Sequence, residues 1–280
     1  MLILGTEVRR TVRTAPAGHC IFCGATGDLS DEHVLPLALG GRLVIPQASC
    51  APCATITAAF EGKVARGFML AARAVAGFPT RRPKERPRRL PLLVKRGHEF
   101  AVEQLPLDQF PALLHVPLLA PAGHLCGRQI TSGVEVLGYE TISYGKRPEE
   151  AAASLGTSTI RMTMNWDLTS FARLLAKVAY GFAVAYVGPM PREEVPVLPL
   201  ILGAADDASR WLGSATFSLE IESKRPTHAI GVHVAGDPAE NGRKLLVVRI
   251  KLFADSGATG YEVIVWRPKE MPARVVCSTT

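Results

Sequence analysis

Two short cysteine pairs constrain this chain more than any other feature. Cys20-x2-Cys23 and Cys50-x2-Cys53 put four thiols into two tight turns, 26 residues apart. The first 18 residues open on four apolar side chains and then carry Arg9, Arg10 and Arg13. A secretory leader has its basic end first and a longer apolar stretch after it, so the expectation is a cytoplasmic protein. In that setting paired CxxC reads as thiolate ligation, not as disulfides. Four thiolates suit one tetrahedral Zn²⁺ at about 2.3 Å per bond, and each turn delivers two sulfurs to the same ion. A redox motif needs only one pair. Cys126 and Cys277 stand apart and read as incidental or core thiols.

The rest of the chain is large enough to fold without that staple. It has 280 residues, 48% hydrophobic and 20% charged, within the range of one large domain or two modest ones and too apolar for a disordered chain. The longest apolar run, 171–187, is interrupted by Arg173 and Lys177, which argues against a membrane span. The net charge of +7 is unevenly placed: residues 1–98 carry +9 and residues 99–280 carry −2. Its densest part is Arg81-Arg82-Pro83-Lys84-Glu85-Arg86-Pro87-Arg88-Arg89. Such a run attracts phosphate by counterion release whatever the base sequence, and its prolines favour an extended segment. Arg81, Arg82, Lys84, Arg86, Arg88 and Arg89 are therefore candidate nucleic-acid contacts. The competing reading is a solvated linker.

Periodicity divides the chain at that run. Before it, a strand is expected around 42–45, after the Gly40-Gly41 turn. From the second cysteine pair, Ile56, Phe60, Val64, Phe68, Ala72 and Val75 recur at helical steps, which predicts an amphipathic helix to about Gly77 with weak points at Gly62 and Gly67. After it, strands are expected at 90–95, 99–105, 113–119, 134–139, 157–165, 217–221, 229–234, 244–253 and 261–266. Asp167 is a good N-cap for the clearest helix of the chain, which Gly188-Pro189 ends. The fold class expected is α+β: an N-terminal module over 1–78, a basic Pro/Arg linker over 79–91, and a larger mixed domain over 92–280 with mostly antiparallel sheet. That larger region has no phosphate loop, dinucleotide glycine pattern or serine elbow, and its role is not legible.

Between the cysteine pairs lies Ser30-Asp31-Glu32-His33-Val34-Leu35-Pro36, followed by Leu39-Gly40-Gly41. The order CxxC, DEHVLP, LGG, SCxxC resembles the HNH endonucleases, whose core is a ββα-metal fold. The resemblance covers roughly residues 18–77. It implies that His33 is a general base activating water against a phosphodiester, since imidazole titrates near neutral pH. It also implies that Glu32 holds a catalytic divalent ion such as Mg²⁺, Mn²⁺ or Ni²⁺, which polarises the phosphate and stabilises the leaving oxygen. The zinc in this reading is structural and does no chemistry.

The sequence departs from that family in two places. The ligand that normally follows the second CxxC is replaced by Ala54, and the central Asn is missing, with Ile45, Gln47 and Ser49 in its neighbourhood. Gln47 is a candidate to orient His33, and Glu61 a candidate replacement metal ligand. Glu61 lies two helical turns beyond Ala54, about 11 Å of rise, so it reaches the ion only if the chain bends at Gly62. The function implied is metal-dependent hydrolysis of DNA, with RNA also compatible. The alternative is a catalytically degenerate zinc module that binds nucleic acid without cleaving it. A third reading makes the zinc module an interaction device and gives the work to the C-terminal region.

Overall fold

The computed structural model describes residues 2–4, 11–80, 83–217, 228–272 and 275. The first half begins with strands β1 (Leu2–Leu4), β2 (Val12–Arg13), β3 (Leu29–His33) and β4 (Leu43–Cys50), followed by helices α1 (Ala51–Arg66) and α2 (Leu70–Val75). Strands β5 (Arg89–Arg96), β6 (Glu99–Pro106), β7 (Pro111–Leu119) and β8 (Val136–Gly145) come next, then helix α3 (Pro148–Ser154) and strand β9 (Ile160–Arg161). The second half runs through helices α4 (Leu168–Val187), α5 (Leu198–Leu202) and α6 (Ala208–Trp211). It closes with strands β10 (Leu212–Ala215), β11 (His228–Gly236), β12 (Lys244–Lys251) and β13 (Gly260–Trp266).

The class is mixed α+β with mostly antiparallel sheet. One antiparallel sheet has the order β1-β11-β12-β13-β10. Another, β2-β4-β3, pairs β2 with β4 in parallel and β3 with β4 antiparallel. Smaller antiparallel sheets are β6-β5-β9 and β7-β8.

The β3–β4 hairpin turns through the glycine pair that the sequence singles out. Gly40 has φ +85°, and a Cβ on Gly41 would lie 1.8 Å from the Leu35 carbonyl oxygen, so only glycine lets the chain pass there. Strand β4 runs directly into α1, with Cys50 as N-cap residue and Pro52 inside the first turn, where a missing N–H costs nothing. The helix expected to reach Gly77 is in fact two. A Cβ at Gly67 would meet the Lys63 carbonyl oxygen at 2.6 Å, and the chain restarts as α2 three residues later. The strand expected over 157–165 is confined to Ile160–Arg161. Of the strand expected at 217–221, Phe217 lies outside any strand and the rest falls outside the described residues.

Helix α4 organises the interior. The Ser170 N–H donates to Asp167 Oδ1 at 2.8 Å, the N-cap that the sequence predicts. The helix packs against α1, α5, β12 and β13. It is long and apolar enough to cross a membrane, but its apolar stretch is mostly buried inside the protein. One hydrophobic core contains Cys20, Phe22, Phe60, Leu175, Phe182, Val248 and Ile264 together. It therefore draws side chains from both sides of the basic run at 79–91. A smaller cluster under β5 and β6 contains Leu90, Leu92, Leu105 and Phe110.

Candidate metal centre and nucleic-acid groove

The four paired cysteines converge. Their sulfurs all lie within 4.8 Å of one another, with Cys23 Sγ and Cys50 Sγ 3.5 Å apart. Tetrahedral ligation with 2.3 Å bonds requires sulfur separations of about 3.8 Å, so the cluster has the dimensions of one metal site. The first knuckle is a tight turn, closed by Gly24 N–H on the Cys20 carbonyl at 2.8 Å and Cys20 N–H on the Ala25 carbonyl at 2.7 Å. The second is the junction of β4 and α1. Burial alone would raise the Cys20 thiol, but backbone N–H groups of Cys50, Cys23 and Phe22 aimed at its sulfur bring it down to about 7, while burial and the neighbouring thiols push Cys53 up and Cys23 also lies above the ordinary thiol range. The Cys20 sulfur is readily a thiolate ligand. These residues are positioned to bind a metal ion, and the all-sulfur donor set fits structural zinc. Cys126 is exposed and apart from the cluster, and Cys277 lies outside the described residues.

Beside this centre runs a groove of about 1150 Å³. Glu32 and His33 line it from β3, Ala54, Thr57, Ala58 and Glu61 from α1, and Glu85, Arg86 and Pro87 from the basic run. Neighbours on a regular strand point to opposite faces. Here the pairing of β3 with β4 is irregular between Ser30 and Glu32, and the strand ends at His33. That irregularity lets both side chains border one space. Asp31 stays exposed and pairs with Arg13 at 2.7 Å. Gln47 is exposed at φ +49°, which does not suit the role of orienting His33.

The two carboxylates expected to hold a catalytic ion do converge, but on a lysine. Lys177 Nζ lies 2.6 Å from Glu32 Oε1 and 2.8 Å from Glu61 Oε1. The same ammonium donates to the His33 carbonyl and lies 3.4 Å from the Val34 carbonyl oxygen. Helix α1 runs unbroken past Gly62, and the distance between strand and helix is bridged by the lysine. Burial disfavours the Lys177 ammonium, yet Glu32 and Glu61 together hold its pKa above the ordinary lysine range. Burial, with the Glu61 charge beside it, leaves the Glu32 carboxyl above its ordinary range despite the Lys177 ammonium. Both carboxylates that the resemblance assigns to a divalent ion are bonded to this ammonium. Lys177 was visible in the sequence only as an interruption in an apolar run; its spacing from Glu32 carries no local signal.

The basic run is less free than a linker. Pro83–Glu85 is a single 3₁₀ turn. Arg86 donates to the Phe78 carbonyl, and Arg89 donates to the Gln104 carbonyl through Nε at 3.0 Å and Nη2 at 2.7 Å. Lys84, Arg88 and Arg89 are exposed, while Arg81 and Arg82 lie outside the described residues. Arg66, Arg73 and Arg86 line the same groove. Arg73 is fixed by Nε on the Ala38 carbonyl at 2.5 Å and Nη1 on the Ala65 carbonyl at 2.7 Å. Burial, and then the charges of Arg86 and Arg66, bring Arg73 down to about 10. Arg66 and Arg86 each lie close enough to Arg73 to disfavour its charge, and Asp31, Glu32, Glu61 and Glu85 line the same groove, so its lining carries both signs of charge. Lys63 instead pairs with Asp167 at 3.1 Å.

No family model, no curated protein and no solved structure matches the chain.

Proposed function

We propose that this protein is a nucleic-acid-binding protein whose zinc-stapled β3–β4–α1 unit is an HNH-like module that holds a phosphodiester strand without cleaving it. The observation that carries this reading is the groove itself. The Glu32–His33 face, the start of α1 and the basic run border one space, with Arg66, Arg73 and Arg86 lining it. Phosphate contacts of this kind supply affinity without reading base sequence. The staple's role is to hold β3, β4 and α1 in one geometry through four sulfurs. Loss of cleavage follows from two features: Ala54 offers no ligand atom, and Lys177 takes both carboxylates that an ion would need.

A second reading, hydrolysis with His33 as general base, is favoured by the placement of His33 and Glu61 on the same groove. One set of experiments separates the two. Fluorescence anisotropy with labelled single- and double-stranded DNA and RNA is expected to show binding that weakens linearly in log–log plots against salt. Changing Lys84, Arg86, Arg88 and Arg89 to Gln is expected to reduce that slope by roughly one per lost phosphate contact. Plasmid incubated with Mg²⁺, Mn²⁺ or Ni²⁺ is expected to stay intact. Nicking by the parent that His33→Ala abolishes would establish the second reading, and absence of any binding at low salt would refute both.

A further inference from the structure

We propose that the Lys177 ammonium is a resident cation that takes the place of the divalent ion in this module, so that the Glu32–Glu61 pair binds no metal until the lysine is removed. The proposal deepens the reading above and rests on it only in taking this spot as the place of the catalytic ion.

The argument begins with what surrounds Nζ. Four oxygens face it: Glu32 Oε1, Glu61 Oε1 and the carbonyls of His33 and Val34. They come from the end of β3 and from α1, two elements that the cysteine cluster ties together. An all-oxygen set with two carboxylates is what a hard divalent cation selects. An ammonium accepts the same set because its three N–H groups are donors only. The two cations exclude each other, since both require the same carboxylate oxygens and would repel at such separations.

The lysine is buried, and the helix that carries it is held on both sides. Its side chain is 1% exposed, and it projects from the middle of the 20-residue helix α4. One turn on, the Tyr180 hydroxyl donates to the Ile21 carbonyl at 2.6 Å, between the two cysteines of the first knuckle. Four residues before Lys177, the Arg173 guanidinium lies over the Phe60 ring with its carbon 4.9 Å from the centroid. Residues 173, 177 and 180 form one stripe of α4, pinned against the N-terminal unit on both sides of the ammonium. Elongation of the chain beyond residue 91 thus supplies the charge that in a metal-dependent site comes from solution.

The test is metal binding, measured on the full zinc-loaded chain with Mn²⁺ as the probe and no nucleic acid present. Calorimetric titration and the Mn²⁺ electron paramagnetic resonance signal are compared for the parent, Glu61→Gln, Lys177→Ala and the double variant. The parent and Glu61→Gln are expected to give the same weak background. Lys177→Ala is expected to bind one Mn²⁺ at least tenfold more tightly, to gain thermal stability when it is added, and to lose both in the double variant. One equivalent of Mn²⁺ bound by the parent and lost in Glu61→Gln would overturn the proposal. So would a folded Lys177→Ala protein that binds no better than the parent. If Lys177→Ala does not fold, the comparison of the parent with Glu61→Gln decides the matter by itself. Failure of the anisotropy experiment would remove the nucleic-acid reading and leave these outcomes unchanged.

Discussion

A lysine with 1% of its side chain exposed needs its charge balanced on the spot, because an unpaired buried ion costs several kcal/mol. Lys177 meets that requirement with two carboxylates and two carbonyls. The consequence for stability has a definite sign. Replacing Lys177 by Met keeps the volume and removes the charge, leaving Glu32 buried beside Glu61. Breaking a buried pair in this way typically costs about 3–5 kcal/mol, and urea denaturation at pH 7 is expected to show a loss of that size. The pH dependence follows from the direction of each shift. Lys177 has a raised pKa when folded, so its contribution is full below the ordinary value of 10.5 and is lost as pH rises through the folded value. The parent is therefore expected to lose stability at alkaline pH through this group, and Lys177→Met to lack that component. Glu32 is also raised. In the variant its proton is held further up the scale, so the gap between the two proteins is expected to narrow as pH falls toward 4.5, the ordinary value for this carboxyl. None of this is legible in the sequence. Lys177 comes 144 residues after His33, and no periodicity or spacing rule links positions so far apart. The four cysteines were legible because ligand chemistry fixes their local spacing.

At the scale of elements, local rules did well where one element decides its own form. The Asp167 cap, the Gly188 stop and the buried stripe of α4 follow from capping chemistry and helical period. The rules fell short where a neighbour intervenes. The sequence marks Gly67 as a weak point without saying that the helix breaks there; a Cβ at that position would meet the Lys63 and Asn165 carbonyl oxygens at 2.6 and 3.1 Å, and the shared groove of Glu32 and His33 comes from an irregular pairing with β4. Asp167 offers a test at this scale. Its carboxylate accepts from Ser170 N–H and pairs with Lys63. Burial pulls its pKa upward, but the Ser170 and Lys63 contacts outweigh that and leave it below the ordinary 3.8. Asp167→Ala is expected to cost about 1 kcal/mol at neutral pH. Because the folded pKa is depressed, the carboxylate's contribution is present above 3.8 and lost as pH falls through the lower folded value. Asp167→Asn retains a capping oxygen, so it is expected to lose less at pH 7 and to lack that acid-dependent component. Denaturation midpoints of the three proteins across acid and neutral pH check both statements.

For the whole molecule the question is how far a metal held by the four-cysteine cluster would act. Composition changes at the Pro/Arg run suggest a small module over 1–78 and a larger one after 91. The packing joins them: Cys20, Cys50 and Cys53 belong to the same hydrophobic core as Phe171, Leu175, Val248 and Ile264. Helix α4 reaches back to the first knuckle through Tyr180 and to the groove through Lys177. Metal binding to such a site contributes directly to folding free energy. When the folded units share a core, that contribution is felt by all of them. Removing zinc by chelation is therefore expected to destabilise the chain as one body. Scanning calorimetry of the zinc-loaded protein is expected to give a single transition, displaced to lower temperature as a whole after chelation. A loss on the order of 3 kcal/mol corresponds to roughly 5 °C in a chain of 280 residues. Two transitions, with only one moved by the chelator, would instead mean that the N-terminal unit folds alone. The resident lysine would then belong to a contact between separable bodies, and the staple would set only the geometry of β3, β4 and α1.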